Sequence, residues 1–142
     1  MKMGFRNIAE IAGSAMAAQT VRLNTVASNL ANAQTAAGSE VEAYRARKPV
    51  FASVYETVAF EESGGGARVQ VLDVVESTEP LRRAYEPDNP LANEEGIVFY
   101  PNVNSVAEMT DMMAASRAFE TSVEVLGRTR AMQQALLRLG QD

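Results

Sequence analysis

Residues 106–139 hold 34 positions without a proline, and Met109, Met112, Ser116, Phe119, Val123, Leu126, Arg130, Gln133 and Leu137 follow one another there at alternating steps of three and four. That spacing predicts one amphipathic helix with a seven-residue repeat. Where the row turns polar at Arg130, a neighbouring row of Val125, Met132, Leu136 and Leu139 takes over. At about 1.5 Å per residue the helix would reach roughly 50 Å. Asn104 or Ser105 is placed to cap its start, and Glu108, three residues after Ser105, to complete a capping box.

A second stripe opens the chain. Between about residues 8 and 33, Met16, Leu23 and Leu30 recur seven apart, and Ala12, Gln19, Val26 and Ala33 form the alternate row. This helix would run roughly 40 Å. No proline ends it; the stop falls near Asn32 and the following TAAGS, because asparagine and glycine tolerate left-handed backbone and serine and threonine bond locally.

The middle has period two. Val50, Ala52, Val54, Val58 and Phe60 alternate with Phe51, Ser53, Tyr55, Thr57 and Ala59, then ESGGGAR supplies a turn and VQVLDVVES a second strand. YEPDNPLANEEG is a turn-rich loop and IVFYP a short strand. The expected fold class is α+β: long N- and C-terminal helices packed as an antiparallel coiled-coil-like pair, with a small β-rich insertion. Residues 1–35 and 102–142 would form one domain and residues 36–101 the β-rich region. About 60 residues of insertion bury only a modest core, so the helices must pack on each other and on other chains, and their order is expected to depend on assembly.

Composition narrows the chemistry. Among 142 residues there is no cysteine and no histidine, which removes thiolate sites, the commonest general base and the commonest metal ligand. A net charge of -5 opposes nucleic-acid binding. The one basic cluster, YRARK at residues 44–48, reads as a solvated strand start. Glu10 interrupts the apolar stretch that a cleaved signal would need, and no window reaches the roughly 20 apolar residues of a membrane span. The pairs Glu61–Glu62 and Glu94–Glu95 stand beside turn glycines as solvated charge, Asp73, Glu76 and Asp88 lack calcium-loop spacing, and Met109, Met112, Met113 and Met132 suit an irregular packing seam. No cofactor and no metal is expected.

The stretches IAGSAMAAQTVRLNTVASNLANAQT, YRARKPVFASV, VQVLDVVES and PNVNSVAEMTDMMAASRAFETSVEVL together resemble the rod and hook axial proteins of the bacterial flagellum. The likeness is specific at the Asn-Leu-Ala-Asn motif and the C-terminal helix, and PLRRAYEPDNPLANEEGIVFYPNVN resembles the proximal-rod members in particular. That resemblance implies a subunit exported unfolded through the flagellar type III export apparatus and polymerised in the periplasm. There it would join other copies of itself and other flagellar rod proteins, with a rod-base adaptor and the inner-membrane ring beneath, as a hollow axle that transmits torque. Its terminal helices would line the tube that encloses the export channel, and the β region would lie outside. Neither nucleic acid nor a small-molecule substrate would be involved.

In this reading the residues to watch form an assembly interface: Met16, Leu23, Val26 and Leu30 against Met109, Met112, Phe119, Val123 and Leu126. Asn29 and Asn32, three apart on one face, would cap backbone and hydrogen-bond a neighbouring subunit, fixing register. Other classes of function remain open to the residues alone. A helical adaptor or secretion chaperone would be a folded dimer by itself, and a glutamate-based hydrolase would need a concave pocket around Glu94 or Glu95.

Overall fold

The computed structural model describes residues 2–55 and 67–139. Six elements follow in order: α1 (Lys2–Asn32), β1 (Arg47–Tyr55), β2 (Ala67–Glu76), β3 (Arg82–Tyr85), β4 (Ile97–Tyr100) and α2 (Ser105–Leu139). The class is α+β, two long helices with a small antiparallel β insertion between them. Asn104 caps α2, its Oδ1 accepting from the N–H groups of Val106 and Ala107 at 3.1 and 3.2 Å; an asparagine oxygen there satisfies donors the helix leaves free. α1 begins earlier than its apolar stripe and ends on Asn32, whose Nδ2 donates to the Ser28 carbonyl at 2.9 Å.

The helices pack antiparallel. Arg22 of α1 pairs with Asp111 of α2, while Ala33 and Gln34, past the end of α1, border one small cleft with Val103, Asn104 and Ser105 at the start of α2. The packed face of α2 is the three-four row Glu108, Met112, Ala115, Phe119, Ser122, Leu126 and Thr129, every member buried or half-buried. This corrects half of the expected row. Met112, Phe119 and Leu126 lie in the seam with Ala115, Ser122 and Thr129; of their expected companions Ser116 is half-buried, and Val123 and Arg130 are exposed. Ala115 is fully buried and Val123 is 44% exposed.

Size decides the difference. Small side chains such as the fully buried Ala115 let the helices approach closely, whereas a seam through Arg130 would strand a guanidinium out of water. The hydroxyls cost little, since Ser122 Oγ donates to the Ala118 carbonyl at 2.9 Å, Thr129 Oγ1 to Val125 at 2.8 Å and Thr25 Oγ1 to Val21 at 2.8 Å.

β1 and β2 form an antiparallel ribbon, with Val50 opposite Asp73 but Phe51 opposite Val71, so that Leu72 is one extra residue in β2. β1 starts before the expected alternation and takes in Pro49, as an edge strand permits. The rest of the expected strand and the GGG turn lie outside the described residues. The ribbon follows α1 edge-on: Arg47 is held at Asn29, and the Val69 N–H donates to Ser14 Oγ at 3.2 Å. Edge-on contact leaves Val50, Phe51, Leu72 and Val75 exposed.

β3 and β4 pair antiparallel, and Ala37 exchanges two backbone hydrogen bonds of 2.9 Å with Phe99 on the other side of β4. Buried Ala43, Leu81 and Phe99, with Ala37 and Ile97 against them, form its core. β3 was not expected, because Arg82 and Arg83 hide its strand character. Each arginine lies over the ring directly across the pair, Arg82 at 4.6 Å from the Tyr100 centroid and Arg83 at 5.6 Å from that of Phe99. The loop back to β4 closes at Gly96, whose φ of 75° and a would-be Cβ only 2.9 Å from the Tyr85 ring both require glycine. Asn102 then ties the insertion to α2, accepting from the Ala46 N–H and donating to the Glu79 carbonyl, both at 2.8 Å.

Two outcomes follow from this packing. Ala115→Leu overfills the seam and is expected to destabilise the helix pair by about 1–3 kcal/mol, read as a lowered denaturant midpoint of the helical circular dichroism signal; an unchanged midpoint refutes the seam. Partial burial and the hydrogen bond to Glu86 raise the Tyr100 phenol above the ordinary tyrosine value, with Arg82 opposing. A group raised on folding stabilises the fold below its unfolded value and loses that contribution as pH climbs through the folded one. The β3–β4 unit should therefore loosen at strongly alkaline pH. Tyr100→Phe should remove one late phenol ionisation from the ultraviolet titration, and an unaltered curve counts against it.

Candidate functional site

The polar centre of the molecule is Asn29, 1% exposed. Its Nδ2 donates to the Arg47 carbonyl at 2.8 Å, and its Oδ1 accepts from the Arg47 N–H and from the Tyr44 hydroxyl, both at 2.9 Å. Ser28 Oγ stands 3.2 Å from the same hydroxyl. Only a side chain carrying donor and acceptor together can meet both backbone groups of Arg47, which asparagine does and aspartate does not. The amide is thus occupied within the chain, where the sequence suggested a bond to a neighbouring subunit. Asn32 is likewise turned back onto Ser28. Sequence reasoning missed Tyr44 and Arg47, because YRARK carries three charges and reads as solvent-facing. Arg47 and Lys48 are indeed exposed, but Tyr44 is half-buried and Ala46 buried.

Arg22 and Asp111 lock the helices on the side facing β1. Arg22 Nε donates to Asp111 Oδ2 at 3.0 Å and the terminal nitrogen reaches the other oxygen, a two-pronged pair. Val26 is buried beside it, whereas Met16, Leu23 and Leu30 are half-buried along the flank of α1. On α2, Met112, Phe119 and Leu126 are turned into the seam, and Met109 at 56% and Met113 at 59% face away from it. The residues singled out in the sequence therefore divide: one group joins the helices to each other, and Met109 and Val123 are left on the outer surface.

α2 also outreaches α1. With Arg22 against Asp111 and the helices antiparallel, Lys2 falls opposite about residue 131. Residues 132–139 have no helix beside them among the described residues, and Met132, Leu137 and Leu139 are exposed. Glu94 and Glu95 sit exposed on the loop before Gly96; Glu61 and Glu62 lie outside the described residues. No described helix is long and apolar enough to cross a membrane.

Two family models match the chain, flagella basal body rod protein over residues 10–36 and flagellar basal body rod FlgEFG protein C-terminal over residues 94–139. The first covers most of α1 and the second β4 with α2. The chain is 45% identical to the flagellar basal-body rod protein FlgC of Salmonella typhimurium over 139 residues, spanning 98% of this chain and 100% of the relative. It is 46% identical to FlgC of Escherichia coli O157:H7 over the same shares, and 32% identical to FlgC of Bacillus subtilis over 92% of this chain and 94% of that one.

Removing the Asn29 amide would leave the Tyr44 hydroxyl and both backbone groups of Arg47 unpaired. Asn29→Ala is expected to cost about 1–3 kcal/mol in chemical denaturation. Asn29→Asp, which keeps the acceptor but faces a carbonyl with a charge, should lose at least as much. A loss below about 0.5 kcal/mol for both would show that the clamp does not hold the ribbon.

Proposed function

The chain belongs to the flagellar basal-body rod protein family and is a structural subunit of the rod in the flagellar basal body, and from that premise we propose how it serves there. Copies of it polymerise with other rod proteins in the periplasm into the hollow proximal-rod shaft, which transmits torque and encloses the export channel. Residues 1–35 and 102–142 form the inner tube, and residues 36–101 the outer region. The chain reaches the periplasm through the flagellar type III export apparatus without a cleaved signal, and meets a rod-base adaptor and the inner-membrane ring below. It works by contact alone, without catalysis, cofactor or small-molecule substrate.

The observation that supports this reading is the apolar surface left on the helix pair once its own seam is closed. Met109, Met113 and Val123 stand 56%, 59% and 44% exposed on α2, beside the half-buried Met16, Leu23 and Leu30 of α1. Burial is worth about 25 cal/mol per Å² of apolar surface, so neighbouring subunits gain by covering these side chains. In a tube the contacts are head-to-tail and do not close on themselves, which suits a filament that one protein starts and another extends.

The test replaces outward residues and spares the seam. Met109→Asp combined with Val123→Asp should leave the helical content of the purified chain intact. In cells lacking the native copy it should abolish swimming, with basal bodies that end below the rod. Normal swimming from that variant would refute the interface.

A further inference from the structure

Charge is distributed along this molecule as well as over it. At the end where α1 stops and α2 starts, Glu42, Asp88, Glu94 and Glu95 carry carboxylates that form no ion pair among the described residues. At the opposite end, Arg130 and Arg138 on the last turns of α2 are equally without an ion-pair partner among the described residues. α1 spans the distance between these ends, roughly 46 Å at 1.5 Å per residue. Among the described residues, Lys48 and Arg82 are the exposed cations without an ion pair at the head, where carboxylates stay in excess, while α2 from residue 130 to 139 carries Arg130 and Arg138 as its only charges.

Apolar surface follows the same polarity. At the tail, residues 132–139 of α2 project past α1, with Met132, Leu136 and Leu137 exposed between the two arginines and Leu139 exposed beyond the second. Two isolated helical turns are marginal in water, so this segment gains most from a partner. At the head, a groove of about 780 Å³ opens between the end of α1 and the segment leading to β1. Ala36, Ala37, Val41 and Tyr44 line it, and Val41 is 95% exposed. Its arginines are already engaged, Arg45 with Glu40 and Arg47 with Glu76, which leaves Glu42 at the rim to meet an incoming cation. The acidic loop packs alongside, the Leu91 carbonyl lying 3.0 Å from where a Cβ on Gly38 would stand.

We propose that the projecting tail of α2 docks into the Val41 groove at the head of a second copy of this chain, with Leu136 and Leu137 in the groove and Arg138 against Glu42. The contact joins different surfaces of the two copies, so it is heterologous and propagates along the long axis of the helix pair. It rests on the rod reading for its purpose, and on the pairing of charge and exposed apolar surface at the two ends for its geometry.

The chain has no cysteine, which makes a clean cross-linking test possible on the full-length purified protein. Leu137→Cys and Val41→Cys are prepared separately, shown by circular dichroism to keep their helices, and mixed with a short bis-maleimide. Head-to-tail docking gives a dimer of one variant with the other, in several-fold excess over dimers of either variant with itself. Raising the salt from about 50 to 500 mM should weaken it, since exposed ion pairs are screened. Arg138→Glu in the tail partner should reduce the mixed dimer several-fold, and pairing it with Glu42→Arg in the head partner should restore it. A predominance of Leu137→Cys self-dimers, an absence of cross-link, or no rescue by the charge exchange overturns the docking. Recovery of the chain in isolated basal bodies tests the rod reading separately. Presence there without the cross-link removes only the docking, and the cross-link with absence from basal bodies removes only the rod.

Discussion

The amide of Asn29 meets the backbone of Arg47 as a neighbouring strand would, donating to its carbonyl and accepting from its N–H. That pairing fixes where β1 begins relative to α1. Once Arg47 is placed, the ladder with β2 lays the ribbon along the helix, and Ser14 takes the Val69 N–H near its far end. The same amide oxygen holds Tyr44, which sets the course of the segment that walls the head groove. A polar group this deeply buried is costly unless every bond is made, so the helix and ribbon are tied to a single relative position.

The helix seam obeys a different constraint, that of close approach. Alanine, serine and threonine occupy the places where larger apolar residues would hold the backbones apart, and their hydroxyls are satisfied by carbonyls one turn back. Met112, Phe119 and Leu126 alternate with these small residues in the seam, and Met109, Met113 and Val123 are left on the outer face of α2. The two-pronged Arg22–Asp111 pair adds register to a seam whose apolar contacts would tolerate sliding.

Legibility in the sequence varied with the kind of signal. Both helices were readable, since each carries a long uninterrupted repeat, and the cap of α2 was narrowed to Asn104 or Ser105, of which the structure uses Asn104. The strands around Phe51 and Val71 showed their alternation. β3 did not, because its two arginines lie over aromatic rings across the pair and contribute there through their faces. The interface residues were half legible. Apolar spacing picked out Met112, Phe119 and Leu126, but ranking by hydrophobic size chose Val123 where the seam holds Ser122, and an asparagine-rich stretch announced polar contacts without saying with what.

What the sequence by itself determined is the class of the protein: two terminal helices, a β insertion, no residues for thiolate or imidazole chemistry, and a likeness to flagellar axial proteins carried by whole segments. Period and composition are properties of neighbours in the chain, and the residues alone display them. The tertiary structure alone decided which flank of α2 is inside, that Asn29 binds Tyr44 and Arg47 of its own chain, and that Arg22 of α1 meets Asp111 of α2. Each of these depends on side chains 15 to 89 residues apart meeting in space, and a choice between two helix faces one residue apart is made by the fit of the partner surface, which no local pattern encodes.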